Sequence, residues 1–177
     1  MSLLLTLLLN FATPAQLAGV TVPNSATVGG QQVVLNGIGL REKFFIDVYV
    51  GALYLPSKTS NATQAISQDV PKRIVMHFIY DEVTAAQLNE TWNEGFAKVP
   101  GGSGMKAKVQ KLCGMMATVH AGDEIILDYA PGTGTTVTVK GQNRGTIAGA
   151  DFMRALWGVY LGSVPPTEKL KKGMLGG

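Results

Sequence analysis

The sequence predicts an α+β domain with helices packed on an antiparallel sheet. Three observations lead there. Strand-like runs come first, two helical stretches follow, and then a hairpin and more helix close the order. The runs at Phe44–Leu55 and Ile74–Tyr80 are apolar at both parities, as in strands covered on two faces. The helical stretches carry apolar residues four apart on one side.

The elements follow in order. Gly19-Val20-Thr21-Val22-Pro23 and Ala26–Leu35 read as short strands separated by turns. The run from Leu35 to Leu55 is the densest β-type stretch, and it ends at Pro56. Residues 57–70 hold small polar positions, with Ala62–Asp69 as a short surface helix. Pro71-Lys72-Arg73 leads into the next strand, Ile74–Tyr80. Thr84 suits the N-cap of a helix over Ala85–Lys98, whose Leu88, Trp92 and Phe96 share one face. Pro100–Gly104 breaks the chain; lacking a Gly-Lys-Ser/Thr ending, it is a connector rather than a phosphate cradle. Met105–His120 reads as a second helix, with Met105, Val109, Leu112, Met116 and Val119 at helical spacing. Its methionines suit either ordinary core packing or an adaptable apolar pocket. Strands at Glu124–Tyr129 and Thr135–Lys140 are joined by Ala130–Gly134. A tight turn at Gly141–Gly145 leads into Thr146-Ile147-Ala148. A third helix starts at Asp151 and turns Phe152, Leu156, Val159 and Tyr160 inward. Gly162–Pro166 stops it, and Thr167–Lys172 forms a short terminal helix.

The 177 residues suit one domain. Apolar content of 46 % against 15 % charge argues against disorder. The net charge of +3 comes largely from scattered lysines. Clusters at Lys106, Lys108 and Lys111 and at Lys169, Lys171 and Lys172 lack interleaved aromatics, so nucleic acid is not the expected partner. Leu3–Leu9 is too short to span a bilayer but fits the apolar region of a signal peptide. Small residues behind it place cleavage after Ala15 or Ala18; the expected division is a signal peptide over residues 1–18 and a single domain from 19 to 177, exported to the periplasm or secreted, with no integral membrane span. The basic segment that normally precedes such a leader is absent, and a buried first helix is the alternative. A lone Cys113 excludes an intramolecular disulfide.

Chemical motifs are few. His77, His120 and Cys113 match no compact metal-ligand spacing, and no metal or cofactor is expected. Asp81-Glu82 and Asp123-Glu124 are neighbours whose side chains diverge, which does not make an acid–base pair. The arresting residue is Arg41, the first charge in the chain, set within an apolar strand-like run. In an unbroken strand Arg41, Asp47 and Tyr49 share one face. A guanidinium and a phenol there would hold an oxyanion or carboxylate. The alternative is an internal Arg41–Asp47 or Arg41–Glu42 ion pair with Tyr49 as core filler.

Gly37-Ile38-Gly39-Leu40-Arg41, then Lys43-Phe44 and Val48–Leu55, resembles the hallmark segment of the chalcone isomerase-like superfamily. Phe152–Gly162, followed by Pro165 and Leu170-Lys171, resembles the closing helix of its bacterial exported branch. The resemblance implies an open-faced β-sandwich: a large antiparallel sheet, helices on one face, and a ligand cleft between the layers. It also implies that Arg41 points into that cleft and that Tyr49 is the tyrosine with which fatty-acid-binding members hold a carboxylate. Val48 falls where the isomerases carry a threonine. Their helix-borne tyrosine–lysine–asparagine set has no counterpart, only Gln87, Asn89 and Asn93. The expectation is therefore a non-catalytic binder of a fatty acid or similar amphiphilic carboxylate, anchored by Arg41 and Tyr49. Two alternatives stand beside it. One is an intramolecular lyase closing a phenolic enone, with Arg41 and Tyr49 catalytic; the other is a cell-envelope protein-interaction module.

Overall fold

The computed structural model describes residues 13–177. The leucine-rich stretch expected as a leader therefore lies outside the described residues. Seven antiparallel strands form the main sheet, in the order β11-β10-β9-β6-β5-β4-β3. They are β3 (Ser25–Val28), β4 (Gln31–Lys43), β5 (Ile46–Leu55), β6 (Lys72–Phe78), β9 (Glu124–Ala130), β10 (Gly134–Val139) and β11 (Gln142–Ile147). Two small hairpins accompany it, β1 (Ala15–Leu17) with β2 (Val20–Val22), and β7 (Glu82–Val83) with β8 (Val119–His120). Cleavage after Ala18 would remove β1.

Strand parity divides the interior in two. Tyr49, Leu53 and Leu55 of β5 and Ile74, Met76 and Phe78 of β6 face the helices in the larger core. Val50, Ala52 and Tyr54 face the other way, onto a smaller core that includes Val20 and Val22 of β2. Burial on both faces accounts for the unbroken apolar runs.

The helices are α1 (Ala62–Ser67), α2 (Ala85–Ala97), α3 (Lys106–Gly114), α4 (Ala150–Leu161) and α5 (Glu168–Met174). Thr84 caps α2 through a capping box with Gln87, and Leu88, Trp92 and Phe96 are its buried residues. In α4, nine of twelve residues are buried, because the helix is enclosed on nearly all sides. Phe96 stacks on Phe152 at 5.5 Å between ring centres, locking α2 to α4.

Three sequence expectations need correction. The run from Leu35 to Leu55 is not one strand but a tight hairpin: Lys43 pairs with Ile46 across a two-residue turn of Phe44 and Phe45, whose φ values are +50° and +65°. The expected helix Met105–His120 is α3 alone, preceded by a 3₁₀ turn at Gly102–Met105. Val119 and His120 instead pair with β7, where the main chain gains a strand partner. The turn expected over Gly141–Gly145 is confined to Lys140 and Gly141, so β11 begins at Gln142.

The glycines of the hallmark segment set how α5 packs. Gly37 and Gly39 on β4 lie opposite Leu53 and Gly51 of β5. A Cβ on Gly39 would come within 2.3 Å of the Leu170 carbonyl oxygen, and one on Gly37 within 2.2 Å of that of Gly173. Only a strand without side chains there lets the backbone of α5 rest on the sheet. Arg41 is the next residue of that face, just beyond the seated helix.

Lys72 is fully buried at the start of β6. Its Nζ donates to the carbonyls of Ala65 and Ile66 at 2.9 and 3.1 Å, at the end of α1, and lies 5.4 Å from the Trp157 ring centre. Burial pushes its ammonium down to about 7, helped by the like charge of Arg154 and opposed by Asp69.

Candidate functional site

The two-residue turn at Phe44-Phe45 sends β5 back along β4 and brings Arg41 directly opposite Tyr49. Paired residues of an antiparallel ladder project to the same face. Guanidinium and phenol thus sit side by side under the helices, held by register across two strands rather than by parity along one. Tyr49 in turn pairs with Phe78 of β6, the two rings tilted 5.4 Å apart.

These residues floor a cleft of about 320 Å³ between sheet and helices, within the usual range for small-molecule sites. Met76 and Phe78 extend the floor; Leu88 and Trp92 of α2 and Val159 and Tyr160 of α4 form the roof. Phe44, Ile46 and Tyr80 stand around the opening, with Lys43, Glu82 and Glu90. The lining is largely apolar, with Arg41 at the floor and Lys43 at the opening.

Among the described residues no carboxylate lies within ion-pair distance of Arg41. Its guanidinium donates to the backbone carbonyl of Glu42. The Glu42 carboxylate is held by Lys169 at 3.0 Å, and Asp47 pairs through the backbone with Glu42 across the hairpin and is exposed. The internal ion pairs considered from the sequence are therefore not formed.

Burial raises the Tyr49 phenol well above its ordinary value, with Arg41 pulling it back only in part. The same holds for Tyr160, where burial and then Tyr49 raise the phenol and Arg41 opposes them. Both phenols therefore keep their protons. Tyr160 is the residue that sequence reasoning left in the core. Its hydroxyl is spent on the thioether of Met76 at 3.0 Å, a weak acceptor. Trp92 meets its ring edge-on at 6.0 Å and fixes its position. A tyrosine on an all-apolar helix face was the available signal, because a buried hydroxyl seeks a partner.

The other polar candidates are committed elsewhere. Of Gln87, Asn89 and Asn93, only Gln87 lines the cleft, and its amide closes the capping box of α2. The Asn93 amide donates to the Asn89 carbonyl at 2.8 Å. Val48 lines the cleft with an aliphatic side chain. His77 pairs with Glu124 at 2.9 Å, His120 with Glu82 at 3.2 Å, and Cys113 packs near Asn89 and Asn93. Asp123 accepts from the His120 backbone, so it turns away from Glu124. No cluster of three or more metal-ligating residues occurs among the described residues. No described helix is long and apolar enough to cross a membrane.

Comparison with known proteins adds family and fold. Among curated proteins no sequence match is found. The crystal structure of a fatty-acid binding protein from Arabidopsis thaliana superposes with a TM-score of 0.70 at 18 % identity, over 89 % of this chain and 92 % of that one. The two share their fold, a large antiparallel sheet with helices on one face. The family model described as chalcone isomerase-like matches residues 14–176, nearly the whole chain, and the chain belongs to that family.

Proposed function

We propose that this protein is a non-catalytic carrier or buffer for a fatty acid or similar amphiphilic carboxylate. One observation carries the reading: a guanidinium with no carboxylate partner among the described residues lies beside a buried phenol at the floor of an apolar cleft. A half-desolvated cation facing an apolar space is costly unless an anion completes it. The ligand carboxylate would accept from Arg41 and from the hydroxyl of Tyr49, while Leu88, Trp92, Val159 and Phe78 cover its tail. Each methylene covered adds roughly 0.8 kcal/mol before ordering costs. The tail thus dominates affinity and the polar floor sets orientation. The solved fatty-acid binding protein with this fold agrees with the reading. Export belongs to the same proposal, supported by the run Leu3–Leu9 and the small residues behind it.

The test is direct. Lipids extracted from the natively purified protein should contain free fatty acids by mass spectrometry. Titration with a saturated series should show affinity climbing with chain length until the cleft is full. A protein that is empty and ignores added fatty acids refutes the reading. Ring closure of a chalcone that is lost on Arg41→Ala would replace it with the isomerase.

A further inference from the structure

The large apolar side chains exposed among the described residues are Phe44, Phe45, Ile46, Tyr80 and Val164. They are not scattered. Phe44, Ile46 and Tyr80 line the opening of the cleft, and Phe45 sits between two of them at the hairpin tip. Val164 borders a second hollow that shares Arg41, Val159 and Pro166 with the cleft. The other large apolar side chains among the described residues are not exposed, and a contiguous apolar patch is uncommon on a monomer's surface.

The tip is also unusual in its backbone. Two-residue hairpin turns with both central φ angles positive favour asparagine and glycine, which accept that conformation without strain. Here the positions are two phenylalanines, at +50° and +65°. Phe45 is fully exposed, so its ring contributes nothing visible to the interior. A strained turn carrying two solvent-facing rings is a poor choice for folding and points to a role outside the fold.

We propose that this hairpin tip docks on the surface of a phospholipid bilayer and lets the amphiphile pass between bilayer and cleft; the proposal rests on the ligand reading above. Phe44 and Phe45 would enter the boundary between headgroups and acyl chains, the depth that aromatic side chains favour. Lys43, whose Nζ lies 6.0 Å from the Phe44 ring centre, would keep its ammonium among the phosphates while its stem stays with the rings. Lys43 and Asp47 flank the tip with opposite charges, so apolar insertion rather than long-range attraction carries the binding. A second copy of the chain fits less well. Aromatic side chains cover roughly 150–250 Å² each, so the two rings at the tip fall well short of the roughly 800 Å² per partner of a stable interface. A bilayer needs no such area, because it closes around a narrow wedge. Docking there sets the cleft opening against the acyl layer, so a tail need not cross open water.

Co-sedimentation of the whole protein with phosphatidylcholine vesicles, with and without phosphatidylglycerol, tests this without any added fatty acid. The wild type should bind both, with little loss in high salt. Phe45→Gly suits the local backbone and leaves the cleft lining intact. It should weaken vesicle binding by about tenfold or more while fatty-acid affinity in solution stays at the wild-type value. Phe45→Trp should keep vesicle binding, and its emission should shift to the blue on docking. The proposal is overturned if the wild type stays off the vesicles, if Phe45→Gly binds them as well as the wild type, or if the Phe45→Trp emission does not move. It also falls if the tip instead drives self-association that Phe45→Gly abolishes. Vesicle docking with no fatty-acid binding in solution would remove the ligand reading and leave the membrane surface standing.

Discussion

Arg41→Ala is the sharpest probe of the cleft. Among the described residues the side chain donates to the backbone carbonyl of Glu42, and no carboxylate lies within ion-pair distance of it. Its removal therefore should cost the unliganded fold little, within the range of substitutions that break no buried network. The ligand should feel it far more. A charge-assisted hydrogen bond to a guanidinium contributes roughly 1.5–3 kcal/mol, which corresponds to a loss of about tenfold to about 150-fold in affinity. Half-burial of Arg41 favours the lower part of that interval, since water still screens the group. The assay is isothermal titration of wild type and variant with a long-chain fatty acid and with its methyl ester. The acid should lose affinity on Arg41→Ala and the ester should not, because the ester carries no charge for Arg41 to meet. Equal losses for acid and ester would mean that Arg41 shapes the cleft rather than holding an anion. No loss for either would remove it from the site altogether.

Two further outcomes concern the scaffold. Gly39→Ala drives a methyl against the Leu170 carbonyl, 2.3 Å from where its Cβ would lie. Overpacking of that kind costs about 1–3 kcal/mol, and urea denaturation should show it as a lower midpoint with an unchanged slope. Lys72 gives a pH signature: its folded value is lowered to about 7, whereas in the unfolded chain it is that of an ordinary lysine. The unfolded state then binds more protons above about 7, so stability should rise from there to about 10.4, the usual lysine value. Lys72→Met should flatten that rise in denaturation curves taken across the window, and an unchanged slope would show that other groups produce it.

Much of the architecture was legible because its physics is local. Thr84 and Gln87 announce α2 through a capping box, and Leu88, Trp92 and Phe96 mark its buried face. Thr167 similarly caps α5, although the helix runs on to Met174. The hairpin at Phe44-Phe45 was not legible, since neither residue carries the asparagine or glycine signal of such a turn. Reading through it still placed Arg41 and Tyr49 on one face, but for a different reason: they are cross-strand partners, not fellow members of one strand. The methionine spacing after Met105 suggested a longer helix than α3, because periodicity cannot see that Val119 and His120 gain backbone partners in β7. Tyr160 was read as inward-facing, which it is. That its hydroxyl meets a thioether instead of a strong acceptor depends on Met76, a residue 84 positions away.

The glycine strip under α5 has a consequence for biosynthesis. Every strand of the sheet leaves the ribosome before the helix that rests on Gly37 and Gly39. Until residues 168–174 emerge, that patch of main chain is bare, with no side chains to shed water. A nascent chain would thus expose an unfinished trough beside Arg41.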